Sequence, residues 1–223
     1  MPVLAPDKAS QMKSKVALKF PSRHTGATLV EVLVSILILS FSLLGIAGLL
    51  SVTTRYQLGV ESRSLATMLL NETTSRLRTN LNEALMSSTT IPSYVYTNSW
   101  STQQGSIAAA DKSCGPAATT TCTTVERAAY DLWELRSMAR SSLPQGSMQL
   151  SGTPANGMTV TYLWFDKEYA DTSLVTTENS SGLKTSATCA STQSSIQLLS
   201  CCPAAASVST TPGVRCLNLT FTP

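Results

Sequence analysis

The sequence predicts an α+β protein: a long N-terminal α-helix, with a protruding transmembrane half, packed through its other half on a small antiparallel β-sheet head. Three observations predict it. No proline occurs from Ala27 to Ile91, and apolar residues recur at helical steps through that stretch. No charged side chain occurs in the 23 residues between Glu31 and Arg55. After Ser147 the pattern changes to strand-like alternation, broken by turns rich in Gly, Pro and Asn. The resulting boundaries are 1–26 for a basic leader, 27–88 for the helix (27–54 being its transmembrane half) and 89–223 for the head.

The composition fits an exported chain. Of the 223 residues only 13% are charged, about half the ~25% usual for globular proteins. Thirty-two serines and thirty threonines fill the gap. A highly charged disordered chain, a Glu/Lys-rich rod and a strongly basic nucleic-acid binder are excluded. The net charge of +3 resides at one end: Lys8, Lys13, Lys15, Lys19 and Arg23 face only Asp7 in the first 26 residues. The remaining 197 residues carry 11 basic and 12 acidic side chains. A basic start before an apolar run orients a membrane segment with its N-terminus cytoplasmic.

The uncharged run, as helix, covers ~34 Å, enough for a bilayer core of ~30 Å. It is longer than the 7–15 residues of a secretory signal's apolar region. Glu31 is the odd residue, an acid inside the apolar stretch. A carboxylate there costs a few kcal/mol and marks a functional site with a partner; the alternative is a side chain reaching headgroup water at the interface. Further on, Leu58, Leu65, Met68, Leu69, Leu77, Leu81 and Leu85 alternate with charged residues, so this half is amphipathic. Gly45 and Gly48 are weak points in the helix, each costing up to ~1 kcal/mol. They permit bending or local melting, or close helix–helix packing.

The stretch Gly26-Ala27-Thr28-Leu29-Val30-Glu31-Val32-Leu33-Val34 resembles the type IV prepilin signature: a basic leader ending in glycine, then an apolar helix with a glutamate five residues after that glycine. The resemblance implies cleavage between Gly26 and Ala27 by a prepilin peptidase, N-methylation of Ala27, and a role for Glu31 in docking subunits into a helical filament. Ala27 departs from the pattern, which usually has phenylalanine there. The leader is also long for the family, and Met12 is an alternative start. The physical reading agrees, because a carboxylate among apolar helices needs a cation and cleavage supplies the ammonium of Ala27, from a neighbouring subunit or the same one.

In the head, Pro92 ends the helix and opens a Ser/Thr-rich connection to Cys114. Thr123-Thr124-Val125-Glu126 is a capping-box pattern, and helical spacing continues over about 124–141. Leu143-Pro144-Gln145-Gly146 breaks this helix. Strands are expected over 147–151, 158–165, 196–200 and 215–221, with a turn at 152–157 and an exposed polar insertion over 170–195. The blocks Ala129-Tyr130-Asp131-Leu132-Trp133, Leu143-Pro144-Gln145-Gly146-Ser147 and Thr159-Val160-Thr161-Tyr162-Leu163-Trp164 resemble the PilV family of minor pilins. Minor pseudopilins of type II secretion share the N-terminal signature and are the alternative.

All six cysteines (Cys114, Cys122, Cys189, Cys201, Cys202 and Cys216) lie on the side expected outside the cytoplasm and read as disulfides. Cys114–Cys122 is the favoured pair. A bond between neighbours is strained, so Cys201 and Cys202 are expected to pair separately with Cys189 and Cys216. Metal binding is not expected, since no C-x-x-C occurs and the single histidine, His24, lies in the leader. That also removes Ser–His and Cys–His nucleophile pairs from the processed chain. Asp166, Glu168 and Asp171 read as a solvated strand-end loop, and Trp133 and Trp164 as core. Asn71, Asn179 and Asn218 match N-x-S/T by chance in so Ser/Thr-rich a chain.

The reading is therefore a non-enzymatic minor pilin that joins a priming or tip complex and supports pilus biogenesis, twitching motility, adhesion or DNA uptake. Its expected location is the inner membrane as a single-pass protein with a periplasmic head, then the pilus at the cell surface. The partners implied are the membrane, prepilin peptidase, and other minor pilins and pilus subunits met through the N-terminal helix; no cofactor is expected. Direct nucleic-acid binding is not predicted, although Arg127, Arg136 and Arg140 on the second helix offer a local patch for a DNA-binding or adhesive alternative.

Overall fold

Residues 26, 28–86, 93–176, 181–209 and 211–223 are described by the structure, a computed structural model. The leader before Gly26 with Met12 and His24, the first residue after the cleavage position (Ala27), the expected helix terminator Pro92, and Asn179 lie outside the described residues. The chain forms two units, 1–48 and 49–223. In the first, the described residues are all exposed, and from Leu29 onward they are helical.

The long helix, α1, spans Leu29–Thr79. Within the second unit its character changes where one stripe turns inward: Ala66, Leu69, Leu70, Thr73 and Leu77 are buried. These steps of three and four place the residues on one face. The helix does not run unbroken to Ser87 as the absence of proline suggests. It breaks at Asn80 and resumes as α2, Leu81–Met86. The reason is tertiary: the Asn80 amide donates to Tyr94 Oη at 3.0 Å and to the Thr124 carbonyl at 2.9 Å.

The expected connection after the helix is more structured than its composition suggests. A short helix, α3, spans Trp100–Gln103 and is capped by Ser99. Before it, Tyr96 exchanges two 2.8 Å backbone hydrogen bonds with Leu150. The helix at 124–141 is α4, Thr124–Ser142, and its capping box is present: Thr123 and Glu126 each bond the other's backbone N–H.

Three antiparallel strands follow in the order β1–β2–β3: β1 Ser147–Thr153, β2 Gly157–Phe165 and β3 Val214–Phe221. Register pairs Leu150 with Val160, and Thr161 with Asn218. The 196–200 segment is not a strand. Ser195–Leu198 is a helical turn, α5, because Ser194 and Gln197 form a second capping box. The 170–195 insertion is only partly exposed: Ala170 bridges Leu183, and Ser186 is buried and donates to the Val214 carbonyl.

The sheet is covered on both faces. Met158, Val160, Tyr162 and Trp164 join Met148 and Leu150 against α1 and α4, where Leu135 and Ala139 are fully buried. On the other face Leu163 and Phe165 pack with Trp100, Cys202, Val208, Val214 and Cys216. That second layer is built from loops and short helical turns, with no long helix in it.

Polar groups lock α1 to the head. Tyr162 Oη and Thr73 Oγ1 lie 2.7 Å apart. Arg76 bonds Glu72 and Glu134 at 2.7 Å and reaches Asp131 at 3.4 Å. Asp131, 2% exposed, also accepts from Tyr94 Oη at 2.8 Å. Burial pushes the Asp131 carboxyl above its ordinary range, with Tyr94 and Arg76 pulling the other way. Burial also raises the Tyr94 and Tyr162 phenols. For Arg76 burial acts to lower the pKa, and the bonds to Glu134 and Glu72 more than reverse it.

This packing sets three expected outcomes. At the end of α4 a Cβ on Gly146 would lie 1.9 Å from the Ala139 carbonyl oxygen, so Gly146→Ala should destabilise the head by ~3 kcal/mol, read as a lower denaturation midpoint in detergent. Second, native Asp131 holds its proton more tightly than the unfolded chain does. Its contribution is therefore greatest below the unfolded pKa and declines as pH rises through the native one. Denaturation at stepped pH should show this decline, and Asp131→Asn should remove it. Arg76→Met, which strands the buried carboxylate, should cost ~3 kcal/mol at neutral pH and less in acid.

Candidate assembly site on the N-terminal helix

The first turn of α1 is built by its own residues. Thr28 Oγ1 accepts the Glu31 N–H at 3.3 Å, and the Thr28 carbonyl accepts the Val32 N–H at 3.3 Å. Thr28 is thus the N-cap, and Thr28-Leu29-Val30-Glu31 has the spacing of a capping box. The sequence reading passed over Thr28, although the T-x-x-E pattern signals it. Glu31 lies in the first turn, exposed, where the helix dipole favours an anion.

Beyond Glu31 the helix presents apolar side chains on all sides. Leu33 is 66% exposed, Phe41 67% and Leu44 70%. None of the apolar stretch of α1 is buried, and the helix is long and apolar enough to cross a membrane. Its hydroxyls do not spoil that property. Ser35 donates to the Glu31 carbonyl, Ser40 to Ile36, Ser42 to Ile38, and Thr54 to Leu50, at 2.7–2.9 Å. These four hydroxyl protons are satisfied inside the helix, as a low-dielectric solvent requires. Helix continues through Gly45 and Gly48, and an added Cβ at either meets nothing within 4 Å. No packing among the described residues therefore demands glycine there. Gly26 is exposed just before this turn.

The cysteines all form disulfides: Cys114–Cys122, Cys189–Cys201 and Cys202–Cys216. The first closes the loop that leads into the α4 cap. The other two tie the covering loops to each other and to β3.

The remaining candidates do not converge on a site. Asp166 pairs with Arg215 at 3.0 Å, and Asp171 with Lys184 at 3.3 Å. Bonds from Ser173 first, then Lys184, hold the exposed Asp171 carboxyl below its ordinary range. Among the described residues no group of three or more His, Cys, Asp or Glu side chains is placed to hold a metal. A groove of about 410 Å³ is lined by Leu58, Leu65, Pro144 and Phe165, with Glu61, Ser62, Ser142, Asp166, Lys167 and Glu168 around them. The arginine patch is dispersed: Arg136 stacks on Tyr96 at 4.5 Å, Arg140 donates to the Gln104 carbonyl at 3.2 Å, and Arg127 is nine residues from Arg136, on the opposite side of α4. Trp164 is buried in the main core, while Trp133 is half-buried against Tyr130, their ring centroids 5.4 Å apart. Asn71 is exposed and Asn218 is buried.

No protein-family model, no curated protein and no solved structure matches this chain.

Proposed function

We propose that this chain is a minor pilin-like subunit, processed after Gly26 and built into a pilus priming or tip complex through its N-terminal helix. The observation that carries the reading is the exposed Glu31 carboxylate in the first turn of a helix whose next 23 residues are uncharged. An acid at the head of such a helix needs a cation when it leaves water.

The mechanism is assembly. The basic leader and apolar helix hold the precursor in the inner membrane. Prepilin peptidase cuts between Gly26 and Ala27, and the new amine is methylated. The helix then leaves lipid for a bundle of equivalent helices, where lipid contact is exchanged for protein contact. Packing and charge pairing are the driving terms, since both environments are apolar. Glu31 pairs with the Ala27 ammonium of a neighbour, and mismatched axial registers leave both charges unpaired. The disulfide-bonded head faces outward, and motility, adhesion or DNA uptake depend on it through the filament it helps to start.

Mass spectrometry of the chain co-expressed with a prepilin peptidase tests the first step. The expected product starts at methylated Ala27; an intact leader, or a cut elsewhere, rejects the reading. For the second step, Glu31→Gln should be processed normally yet enter filaments about tenfold less well, a pairing worth ~1.4 kcal/mol. Wild-type incorporation of that variant would remove Glu31 from the mechanism.

A further inference from the structure

The adjacent residues Cys201 and Cys202 create an ambiguity that their disulfides do not resolve by themselves. Cys189 closes on Cys201, and Cys202 on Cys216. The swapped isomer, Cys189–Cys202 with Cys201–Cys216, has the same oxidation state. Backbone proximity does not disfavour it. Thr188 and Cys202 form a parallel bridge, and the Cys189 N–H donates to the Cys202 carbonyl at 2.9 Å. Cys189 runs beside Cys202, yet its sulfur goes to Cys201.

One buried amide lies at this junction. Asn218, 6% exposed, stands two residues after Cys216 on β3, so both side chains leave the same face of the strand. Its Nδ2 donates to the carbonyls of Leu198 and Cys201, both at 2.7 Å, which uses both amide protons. The same nitrogen lies 3.6 Å from the sulfurs of Cys189 and Cys201. Its Oδ1 accepts from Thr161 Oγ1 at 2.6 Å, so the central strand fixes which way the amide points. The Asn218 backbone N–H donates to the Leu199 carbonyl at 2.9 Å.

These bonds define a register. Cys216 meets Cys202, and Asn218 meets Cys201. Sliding the covering segment by one residue would bring Cys201 to Cys216 and leave the amide without its carbonyls, a costly state for buried groups. We propose that Asn218 selects the disulfide pairing of the head: it holds the Cys201 carbonyl on β3, presents the Cys201 sulfur to Cys189, and leaves Cys202 for Cys216. The isomers interconvert by exchange. A small-molecule thiolate attacks one disulfide, the released cysteine thiolate attacks the other, and the last thiolate formed expels the small molecule, so two protein disulfides stand before and after with no net oxidation.

The test uses the full chain in detergent, unfolded, reduced and refolded in a glutathione redox buffer. Partial reduction, alkylation with two distinguishable reagents and fragment-ion sequencing separate Cys201 from Cys202. The wild type should yield the native pairing over the swapped one by at least about tenfold, and Asn218→Leu should reduce that ratio about tenfold. Thr161→Val, which frees only the amide oxygen, should shift the ratio in the same direction by less. An even mixture from the wild type overturns the proposal. So does a wild-type ratio in Asn218→Leu or, where that variant does not fold, in Thr161→Val.

Discussion

Burial of one helical stripe, Ala66 to Leu77, against the β-sheet is the constraint from which the rest of the head follows. It makes the C-terminal part of α1 one-sided, whereas its N-terminal part remains apolar and exposed all round. The two stretches handle polar atoms differently. Before Arg55, Ser35, Ser40, Ser42 and Thr54 bond back to the helix's own carbonyls, which suits any apolar surrounding. From Thr73 onward some polar side chains also reach other elements: Thr73, besides its bond to the Leu69 carbonyl, meets Tyr162, Arg76 meets Asp131 and Glu134, and Asn80 meets Tyr94 and Thr124. The first arrangement leaves the helix free to change neighbours. The second fixes it to one.

The sheet's far face is governed by a different chemistry. Across the three strands run Gln149, Thr161 and Asn218, all buried. Gln149 Nε2 donates to the Asn98 carbonyl at 2.8 Å, Thr161 donates to Asn218, and Asn218 donates to Leu198 and Cys201. Carbonyls of loops and of a helix end (Leu198 closes α5) meet these side chains, and disulfides confine the covering segments. The Ser/Thr-rich composition and low charge are thus compatible with a packed head, because polar side chains do part of the work that a second apolar layer usually does.

This division explains what was legible in the sequence. α4, β2 and β3 were readable because a capping box and a period of two are local signals. The amphipathic stretch of α1 was readable for the same reason. The break at Asn80 was not, since no proline or glycine marks it and its cause lies at Tyr94 and Thr124. Nor was α3, whose Trp100 is buried by residues about sixty or more positions away. The 196–200 segment misled because Ile196, Leu198 and Leu199 look like strand core, whereas Ile196 is 80% exposed on a capped helical turn. Nothing local marks Thr161 and Asn218 as buried partners, and only the strand register shows them meeting. At the N-terminal site Gly26 and Glu31 stand out as a motif, while the capping role of Thr28 is legible only when Thr28 and Glu31 are taken together as T-x-x-E.

Thr28 also bears on why the acid sits at position 31. A carboxylate in the first turn of any helix gains ~0.3–1 kcal/mol from the dipole. That is less than the few kcal/mol it costs in a membrane, so capping does not by itself account for an acid ahead of 23 uncharged residues. Cleavage after Gly26 would alter the balance. It would place an ammonium on the residue immediately before the cap, at the positive end of the dipole, where a cation is unfavourable without a counter-charge. Glu31 is the only acidic residue between Asp7 and Glu61. The amine and the acid would then each lack a partner in an apolar bundle, and whichever axial alignment brings one helix's amine to the next helix's acid would relieve both at once. In such a bundle the cap would hold Glu31 in the first turn, close in height to the new amine, so that the alignment would be set by the start of the helix and not by any feature along its apolar length.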